Sequence, residues 1–330
     1  MPRIIYFTEY GSPDVLRYQT IETPTPAATE VLFRAHAIGL NRAESMWRQG
    51  SYVEPVHLPA RLGYESAGVV TAVGADVKHV AVGDRVSTVP SFSLNDYVMY
   101  GEEVLAPAHA VVKLPDAVSF EQATAIWNVF ITPYGALIEN DLLKAGDVVL
   151  VPAASSSVGL GTLQVVRAAG GIPVALTRTR AKREQLLAAG ASHVIVTDEE
   201  DLVAAVNRIT EGRGADIVFE PVGGATFPKL LEALRIGGNV LIYGALSEDI
   251  TPLPLLTVIA KTPVIRGYNL FGTTTDPERQ HKATEYVFAG LKSGALHTVI
   301  AKTFTFDEMI EAHRELEKNL HLGRIVVTVN

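Results

Sequence analysis

Short apolar runs alternate with amphipathic segments in the part of the chain that follows Ser119. Val148–Val151 is a continuous apolar run, which is typical of a strand buried on both faces of a sheet. Similar runs predict the strands Pro173–Thr177, His193–Val196, Ile217–Glu220 and Val240–Tyr243. The segments between them have helical spacing and predict the helices Leu160–Ala169, Ala181–Ala189, Leu202–Thr210 and Thr226–Leu234. This alternation, which ends near Lys261, indicates a parallel sheet with crossover helices.

The chain before Ser119 has a different pattern, in which short strands are separated by glycine and proline. The predicted strands are Arg3–Phe7, Val31–Ile38, Gly68–Val73, Arg85–Val89 and Val111–Leu114, with a short helix between Gly39 and Tyr52. Capping boxes at Ser119–Gln122 and Thr305–Glu308 predict two further helix starts.

A β-branched strand is predicted near the end of the sequence, at Ile325–Val329. A lone strand is not stable, so this one should pair with the N-terminal sheet. The predicted fold is therefore α/β. A β-rich domain of residues 1–122 and 263–330 would receive a doubly wound parallel-sheet domain, residues 123–262, as an insertion.

A turn of small residues follows the run Val148–Val151 and precedes a helix, and this arrangement suits a phosphate group. Free N–H groups and the helix dipole favour an anion at such a helix start. The dinucleotide fingerprint G-x-G-x-x-G would fall on Ala154, Ser156 and Gly159, and only Gly159 keeps the glycine. An ordinary strand–helix turn is the alternative. The candidate cofactor-binding residues here are Ala154, Ser155, Ser156, Ser157, Val158 and Gly159.

The end of the second strand of the alternating region carries cations where NAD-binding proteins carry a carboxylate. Arg178, Arg180, Lys182 and Arg183 occur there, and no acidic residue appears before Glu184. Cations at a helix start oppose the helix dipole, which makes a merely solvated cluster the weaker alternative. The pattern favours NADP(H), whose 2′-phosphate Arg178 and Lys182 would bind, with a hydroxyl from Thr177. Arg180 and Arg183 are expected only to face solvent.

Composition and net charge argue against several classes of function. The chain has 330 residues, a net charge of −8 and no cysteine. The negative charge argues against nucleic acid or an anionic membrane as partner. The lack of cysteine excludes disulfides, thiolate zinc sites and a cysteine nucleophile. The first residues read as a strand rather than a signal peptide, and a cytoplasmic location is expected.

Several motifs spread over nearly the whole length resemble one family. They are Phe7-x-x-x-Gly11-x-Pro13-x-Val15-Leu16, Leu62-Gly63-Tyr64-Glu65, Gly83-Asp84-Arg85-Val86, the Ala153–Gly159 turn, Pro221-Val222-Gly223-Gly224 and Gly323-Arg324-Ile325-Val326-Val327. The chain is similar to the medium-chain dehydrogenase/reductase superfamily, in its zinc-free quinone oxidoreductase branch. The resemblance implies a GroES-like catalytic domain, a Rossmann domain that binds NADP(H), and a homodimer through the Rossmann sheet edge.

The zinc ligands of the superfamily are largely missing. Zinc-dependent relatives have a cysteine where Asn41 stands and a histidine where Tyr64 stands, and only Glu65 matches. One carboxylate cannot make a tetrahedral zinc site, so no metal is expected. Simple ketones need a Lewis acid on their oxygen, whereas quinones and other conjugated carbonyls are already electrophilic. The resemblance and the lost ligands together favour such substrates.

Candidate catalytic groups follow from matching the branch residue by residue. Asn41 matches a residue of the nicotinamide pocket, although an Asn there also suits a helix N-cap. Tyr52 matches a pocket tyrosine that could donate to a developing oxyanion, or it is a core aromatic. Tyr64 could point inward from the vacated ligand position. Met46 departs from the branch, where a tyrosine is common.

The remaining cofactor contacts are predicted around the nicotinamide. Thr132 matches a cofactor-binding threonine, the alternative being a turn before Pro133. Gly244, Ala245 and Leu246 follow the last predicted strand, at the edge where such sheets bind ligands. Phe271 is a predicted pocket wall, or a core residue.

Three functions remain open on the sequence. The first is an NADPH-dependent reductase of quinones or other conjugated carbonyls. The second is an NADPH-dependent reductase of enoyl or alkenal double bonds. The third is a protein without catalytic activity that binds NADPH as a sensor or has a structural role.

Overall fold

The computed structural model describes all 330 residues, which form two compact units. Unit 1 comprises residues 1–128, 274–281 and 298–330, and unit 2 comprises residues 129–273 and 282–297. The sequence places the corresponding boundaries at 122/123 and 262/263. In both descriptions the second body is inserted into the first.

The chain contains sixteen strands and eleven α-helices. The strands are β1 (Arg3–Phe7), β2 (Arg17–Thr20), β3 (Glu30–Gly39), β4 (Ala60–Arg61), β5 (Glu65–Val73), β6 (Arg85–Thr88), β7 (Glu103–Pro107), β8 (Val111–Lys113), β9 (Val148–Val151), β10 (Ile172–Thr177), β11 (His193–Val196), β12 (Ala215–Glu220), β13 (Leu234–Ile242), β14 (Val264–Gly267), β15 (Ile300–Thr305) and β16 (Arg324–Thr328). The helices are α1 (Arg42–Arg48), α2 (Phe120–Ala123), α3 (Trp127–Pro133), α4 (Ser157–Ala168), α5 (Arg183–Ala188), α6 (Leu202–Ile209), α7 (Phe227–Ala233), α8 (Leu255–Lys261), α9 (Phe271–Thr274), α10 (Pro277–Ser293) and α11 (Met309–Glu317). A π-helix, Tyr134–Glu139, follows α3.

Unit 1 contains two sheets. The larger has the strand order β15-β16-β3-β5-β6-β8, with β7 also paired to β3, and the smaller has the order β2-β1-β4. Strand β16 pairs antiparallel with β3, with Val326 opposite Gly39. The predicted pairing of the last strand with the N-terminal sheet is therefore confirmed. Both predicted capping boxes also form, because the N3 side chains of Gln122 and Glu308 accept the N-cap backbone N–H groups.

Unit 2 is built on a parallel sheet with the strand order β11-β10-β9-β12-β13-β14. Every residue of β9 is buried, as its apolar run predicts. The chain moves from β9 to β10 and β11 on one side and then returns to the other side of β9 with β12. This reversal creates the crevice at the carboxyl ends of the strands in which sheets of this kind bind ligands.

The parallel sheet extends beyond Lys261, where the predicted alternation ended. Strand β14 pairs parallel with β13, with Ile242 opposite Gly267. The prediction missed β14 because it is a short edge strand with all four residues exposed. Leu255, Leu256 and Ile259 of α8 are also exposed, and the homodimer through this edge stays a prediction. Among the helices of the chain, none has the length and apolar character needed to cross a membrane.

Candidate active site

The turn between β9 and α4 has the geometry of an anion site. Ser156 is the N-cap of α4, and its Oγ accepts the N–H of Gly159 over 3.0 Å. A Cβ on residue 159 would lie 2.6 Å from the carbonyl oxygen of Ala153, so only glycine allows this close packing. The remaining N–H groups of the first turn are available to a phosphate, as at other helix N-termini of this kind.

Two of the four cations after β10 lie where the sequence predicts a phosphate contact. Lys182 Nζ donates to Ser155 Oγ over 3.1 Å, which joins the end of the second strand to the turn. Arg178 is exposed and makes no ion pair. Burial lowers the pKa of Lys182, and the positive charge of Arg178 lowers that pKa further. Two like charges thus lie close together at the end of β10, an arrangement that favours an anion beside them.

The other two cations are satisfied by acidic residues. Arg180 donates to Glu199 over 2.7 Å and Arg183 lies 3.8 Å from Glu200, in ion pairs at the surface. This agrees with their predicted exposure to solvent. Thr177 ends β10 and its hydroxyl donates to the carbonyl of Thr179 over 3.3 Å.

The segment after β13 approaches the segment after β12 at the same sheet edge. Leu246 N–H donates to the carbonyl of Pro221 over 3.0 Å. A Cβ on Gly244 would lie 2.9 Å from that same oxygen, so a larger residue would push the two segments apart. Gly244, Ala245 and Leu246 therefore border the carboxyl ends of β12 and β13, as predicted for this edge. Their contact with a cofactor stays a prediction.

Thr132 and Phe271 are the last predicted cofactor residues of unit 2. Thr132 is buried inside α3, so it does not form the alternative turn before Pro133. Phe271 begins α9, and its N–H donates to Asn269 Oδ1 over 2.9 Å.

Asn41 lies beside a buried ion pair of unit 1, which Arg324 and Glu65 form. Arg324 donates through Nη2 to Glu65, through Nη1 to Asn41 Oδ1 over 2.7 Å, and through Nε to the carbonyl of Thr124 over 3.1 Å. The side chains of Arg324 and Glu65 are 2% and 0% exposed. The second oxygen of Glu65 accepts the N–H of Asn128 over 3.1 Å. A guanidinium group therefore faces the one residue that matches a zinc ligand.

The carboxamide of Asn41 has a partner at each of its four hydrogen-bonding positions. Its Nδ2 donates to Glu44 and to Glu65, each over 3.2 Å. Its Oδ1 accepts from Arg324 and from Asn128 Nδ2. Asn41 is also the N-cap of α1, with Glu44 accepting its backbone N–H over 2.8 Å. A substrate oxygen would have to replace one of these partners.

Glu44 connects Asn41 to the neighbouring tyrosine. Its Oε1 accepts the backbone N–H of Tyr64 over 3.0 Å, and its Oε2 accepts the hydroxyl of Tyr100. Burial raises the pKa of the Glu44 carboxyl, although these donors oppose that change. His313 adds a contact between its Nε2 and the Tyr100 hydroxyl over 3.3 Å.

Tyr52 and Tyr64 lie close together, and each phenol affects the pKa of the other. Burial raises the pKa of both phenols, which keeps them protonated at neutral pH. The interaction with Tyr64 lowers the pKa of Tyr52, and the interaction with Tyr52 raises the pKa of Tyr64.

Glu44 and Arg324 are members of this network that the sequence reasoning did not assign. Two signals were available. Glu44 stands three residues after Asn41, the spacing of an N-cap and its reciprocal partner. Gly39 leaves the space for Arg324, because a Cβ there would lie 2.8 Å from the guanidinium Nη2.

Comparison with known proteins identifies the relatives of this chain. A profile described as alcohol dehydrogenase GroES-like domain matches residues 27–116, and one described as zinc-binding dehydrogenase matches residues 157–287. The human quinone oxidoreductase is 33% identical over 316 residues, which cover 95% of this chain and 93% of the human protein. The chain belongs to the medium-chain dehydrogenase/reductase superfamily, in its quinone oxidoreductase branch.

Two bacterial members of this family are similar over nearly their full lengths. The quinone oxidoreductase of Pseudomonas aeruginosa is 30% identical, and the match covers 99% of each chain. The crystal structure of Escherichia coli quinone oxidoreductase complexed with NADPH is also 30% identical and covers 99% of each chain, with a TM-score of 0.91. The GroES-like and Rossmann-like domains predicted from the sequence are therefore confirmed.

The residues of this member do not fit the catalytic zinc of the superfamily. Glu65 is held by the Arg324 guanidinium, and Asn41 and Tyr64 offer no borderline-soft ligand beside it. A divalent cation at Glu65 would have to displace the buried positive charge of Arg324. The nucleotide turn of unit 2, in contrast, fits a dinucleotide phosphate through its free N–H groups and the Arg178–Lys182 pair.

Proposed function

We propose that this protein is an NADPH-dependent oxidoreductase that reduces quinones or other conjugated carbonyls without zinc. The observation that supports this proposal most is a cluster beside the start of α4, in which Lys182 donates to Ser155 and lies near Arg178. Quinone oxidoreductases are among the relatives that match, at about 30% identity, and one of them was crystallised with NADPH.

Each part of the site has a chemical task in this proposal. The first turn of α4 binds the pyrophosphate, and Arg178 and Lys182 bind the 2′-phosphate that distinguishes NADPH from NADH. The bound nucleotide supplies the hydride. Tyr52 donates its O–H to the substrate oxygen as negative charge develops there, with Tyr64 beside it.

The polar network of unit 1 suits a substrate that needs little polarisation. Asn41 has no free hydrogen-bonding position, and Arg324 is neutralised by Glu65. The network therefore stabilises the fold next to Tyr52 and Tyr64, and it acts on the substrate through these two tyrosines. A quinone or an enone needs only a neutral hydrogen-bond donor, because conjugation already makes it electrophilic.

Turnover by the purified protein tests the proposal directly. We expect NADPH oxidation, followed at 340 nm, with a panel of small quinones and enones, and much slower oxidation of NADH at equal concentration. Simple ketones should not react. Tight NADPH binding without turnover on the whole panel would instead favour the sensor or structural function. Absence of NADPH binding would contradict the proposal altogether.

Tyr52 separates the quinone function from the second candidate, double-bond reduction of enones. Protonation of a carbon atom requires a positioned acid, whereas a hydroquinone anion takes its proton from solvent. If enones are the substrates, Tyr52→Phe should lower kcat for enones about 100-fold and for quinones far less. Tyr18→Phe, which removes a hydroxyl that donates to the carbonyl of Phe306 in unit 1, is the control. Equal losses on both substrate classes would count against double-bond reduction.

A further inference from the structure

The π-helix Tyr134–Glu139 begins directly after Thr132 and Pro133, within unit 2. Such wide helical turns are rare, and they are frequently found at functional sites. Asn140 stabilises this one from its end, because its Nδ2 donates to the carbonyl of Gly135 over 2.6 Å. The π-helix thus lies beside Thr132, which the sequence predicts to contact the cofactor.

Gly135 leaves a space that another segment of unit 2 fills. A Cβ on residue 135 would lie 2.2 Å from the hydroxyl oxygen of Tyr268 and 2.4 Å from Thr273 Oγ1. No real Cβ makes contacts of that length. The side chains of Tyr268 and Thr273 therefore pack against the backbone of the π-helix at a point where only glycine allows it.

Hydrogen bonds continue this contact along the π-helix. The hydroxyls of Tyr268 and Thr273 are 3.3 Å apart, and Thr273 donates to Glu139 Oε2 over 2.8 Å. Thr273 is fully buried. Tyr268 and Thr273 flank the short segment 269–272, so both ends of that segment are attached to the π-helix.

We propose that Gly135, Tyr268 and Thr273 form a clamp that fixes the segment 269–272 at a set distance from Thr132. The clamp rests on the proposed function and on the contacts of Thr132 and Phe271 with the nicotinamide half of the cofactor that the sequence predicts. Its members are positioning residues, since they act through Thr132 and Phe271. The clamp governs the nicotinamide half of the cofactor and leaves the adenosine half, bound at Arg178 and Lys182, unaffected.

Two ligands distinguish this role from a general effect on folding. NADPH requires both halves of its site, whereas 2′,5′-ADP requires only the adenosine half. In Gly135→Ala the new methyl group separates the π-helix from Tyr268 and Thr273. We expect kcat to fall about tenfold or more and the Kd for NADPH to rise at least about fivefold, because catalysis is sensitive to displacements near 1 Å. The Kd for 2′,5′-ADP should stay within about twofold of the wild-type value.

A pair of substitutions at residue 273 tests the hydrogen bonds without adding bulk. Thr273→Val removes the hydroxyl at constant shape and should reproduce the loss seen with NADPH. Thr273→Ser keeps the hydroxyl and should retain near wild-type binding. Thr71→Val is the matched control, because it removes a threonine hydroxyl that donates to the carbonyl of Leu32 in unit 1. This pair remains informative if Gly135→Ala does not fold.

The outcomes separate the clamp from the proposed function. If wild-type protein binds NADPH and 2′,5′-ADP, and Gly135→Ala and Thr273→Val bind both equally well, the clamp is wrong and the proposed function stands. Equal weakening of both ligands also overturns the clamp, since it indicates a general structural effect. If the wild-type protein binds neither ligand, the proposed function fails and the clamp with it.

Discussion

Replacement of Arg324 by methionine is expected to lower the free energy of unfolding of unit 1 by about 3–5 kcal/mol, the usual loss when one partner of a buried ion pair is removed. Glu65 would keep its negative charge in a site that is 0% exposed, and Asn41 would lose one of the two donors to its Oδ1. Calorimetric melting of wild-type and variant proteins measures the effect.

The double variant Arg324→Met/Glu65→Gln shows whether the loss comes from the uncompensated charge. It should recover most of the stability, because a neutral amide at residue 65 no longer needs a cation. Arg180→Met, which breaks an exposed ion pair with Glu199, is the control and should cost at most about 1 kcal/mol. An Arg324→Met variant that melts at the wild-type temperature would show that Glu65 finds another partner.

Arg178→Ala is expected to weaken NADPH binding while NADH binding stays nearly unchanged. A hydrogen bond to a charged group is worth about 1.5–3 kcal/mol, which corresponds to a rise in Kd of about 10- to 150-fold. Arg178 has no carboxylate partner, so its removal leaves no orphaned charge in the free protein. Nucleotide fluorescence titration at fixed salt measures both dissociation constants.

The neighbouring cation provides the control for this experiment. Arg180 lies two residues away, and it is paired with Glu199. Arg180→Ala should change the Kd for NADPH by less than about threefold, because the effect is then only one of screened surface charge. Equal losses of NADPH and NADH in Arg178→Ala would show that Arg178 does not bind the 2′-phosphate.

The sequence predicted those elements whose residue pattern is local and whose faces have the same surroundings. Strand β9 was predicted with its observed bounds because it is buried on both faces and carries only apolar residues. The turn before α4 was predicted from residue type and position alone. So was the distinction between Arg178, as a phosphate contact, and Arg180, as a residue that faces solvent. The last strand was placed correctly because a lone strand must find a sheet.

The features that were missed depend on contacts between distant parts of the chain. Strand β14 is exposed at a sheet edge, so it has no apolar pattern to reveal it. The saturation of Asn41 depends on Arg324, which comes from the other end of unit 1. The packing of Tyr268 against the π-helix is indicated in the sequence only by the glycine at residue 135.

The separation of the two ion-pair partners has a consequence for the order of events on the ribosome. Glu65 is synthesised 259 residues before Arg324. At ordinary elongation rates this delay is roughly 10–50 s, during which all six strands of the parallel sheet emerge. Until Arg324 has been synthesised, the carboxylate of Glu65 lacks the guanidinium partner that it has in the folded protein. Synthesis of unit 1 therefore begins before that of unit 2 and ends after it, when unit 2 has had time to fold.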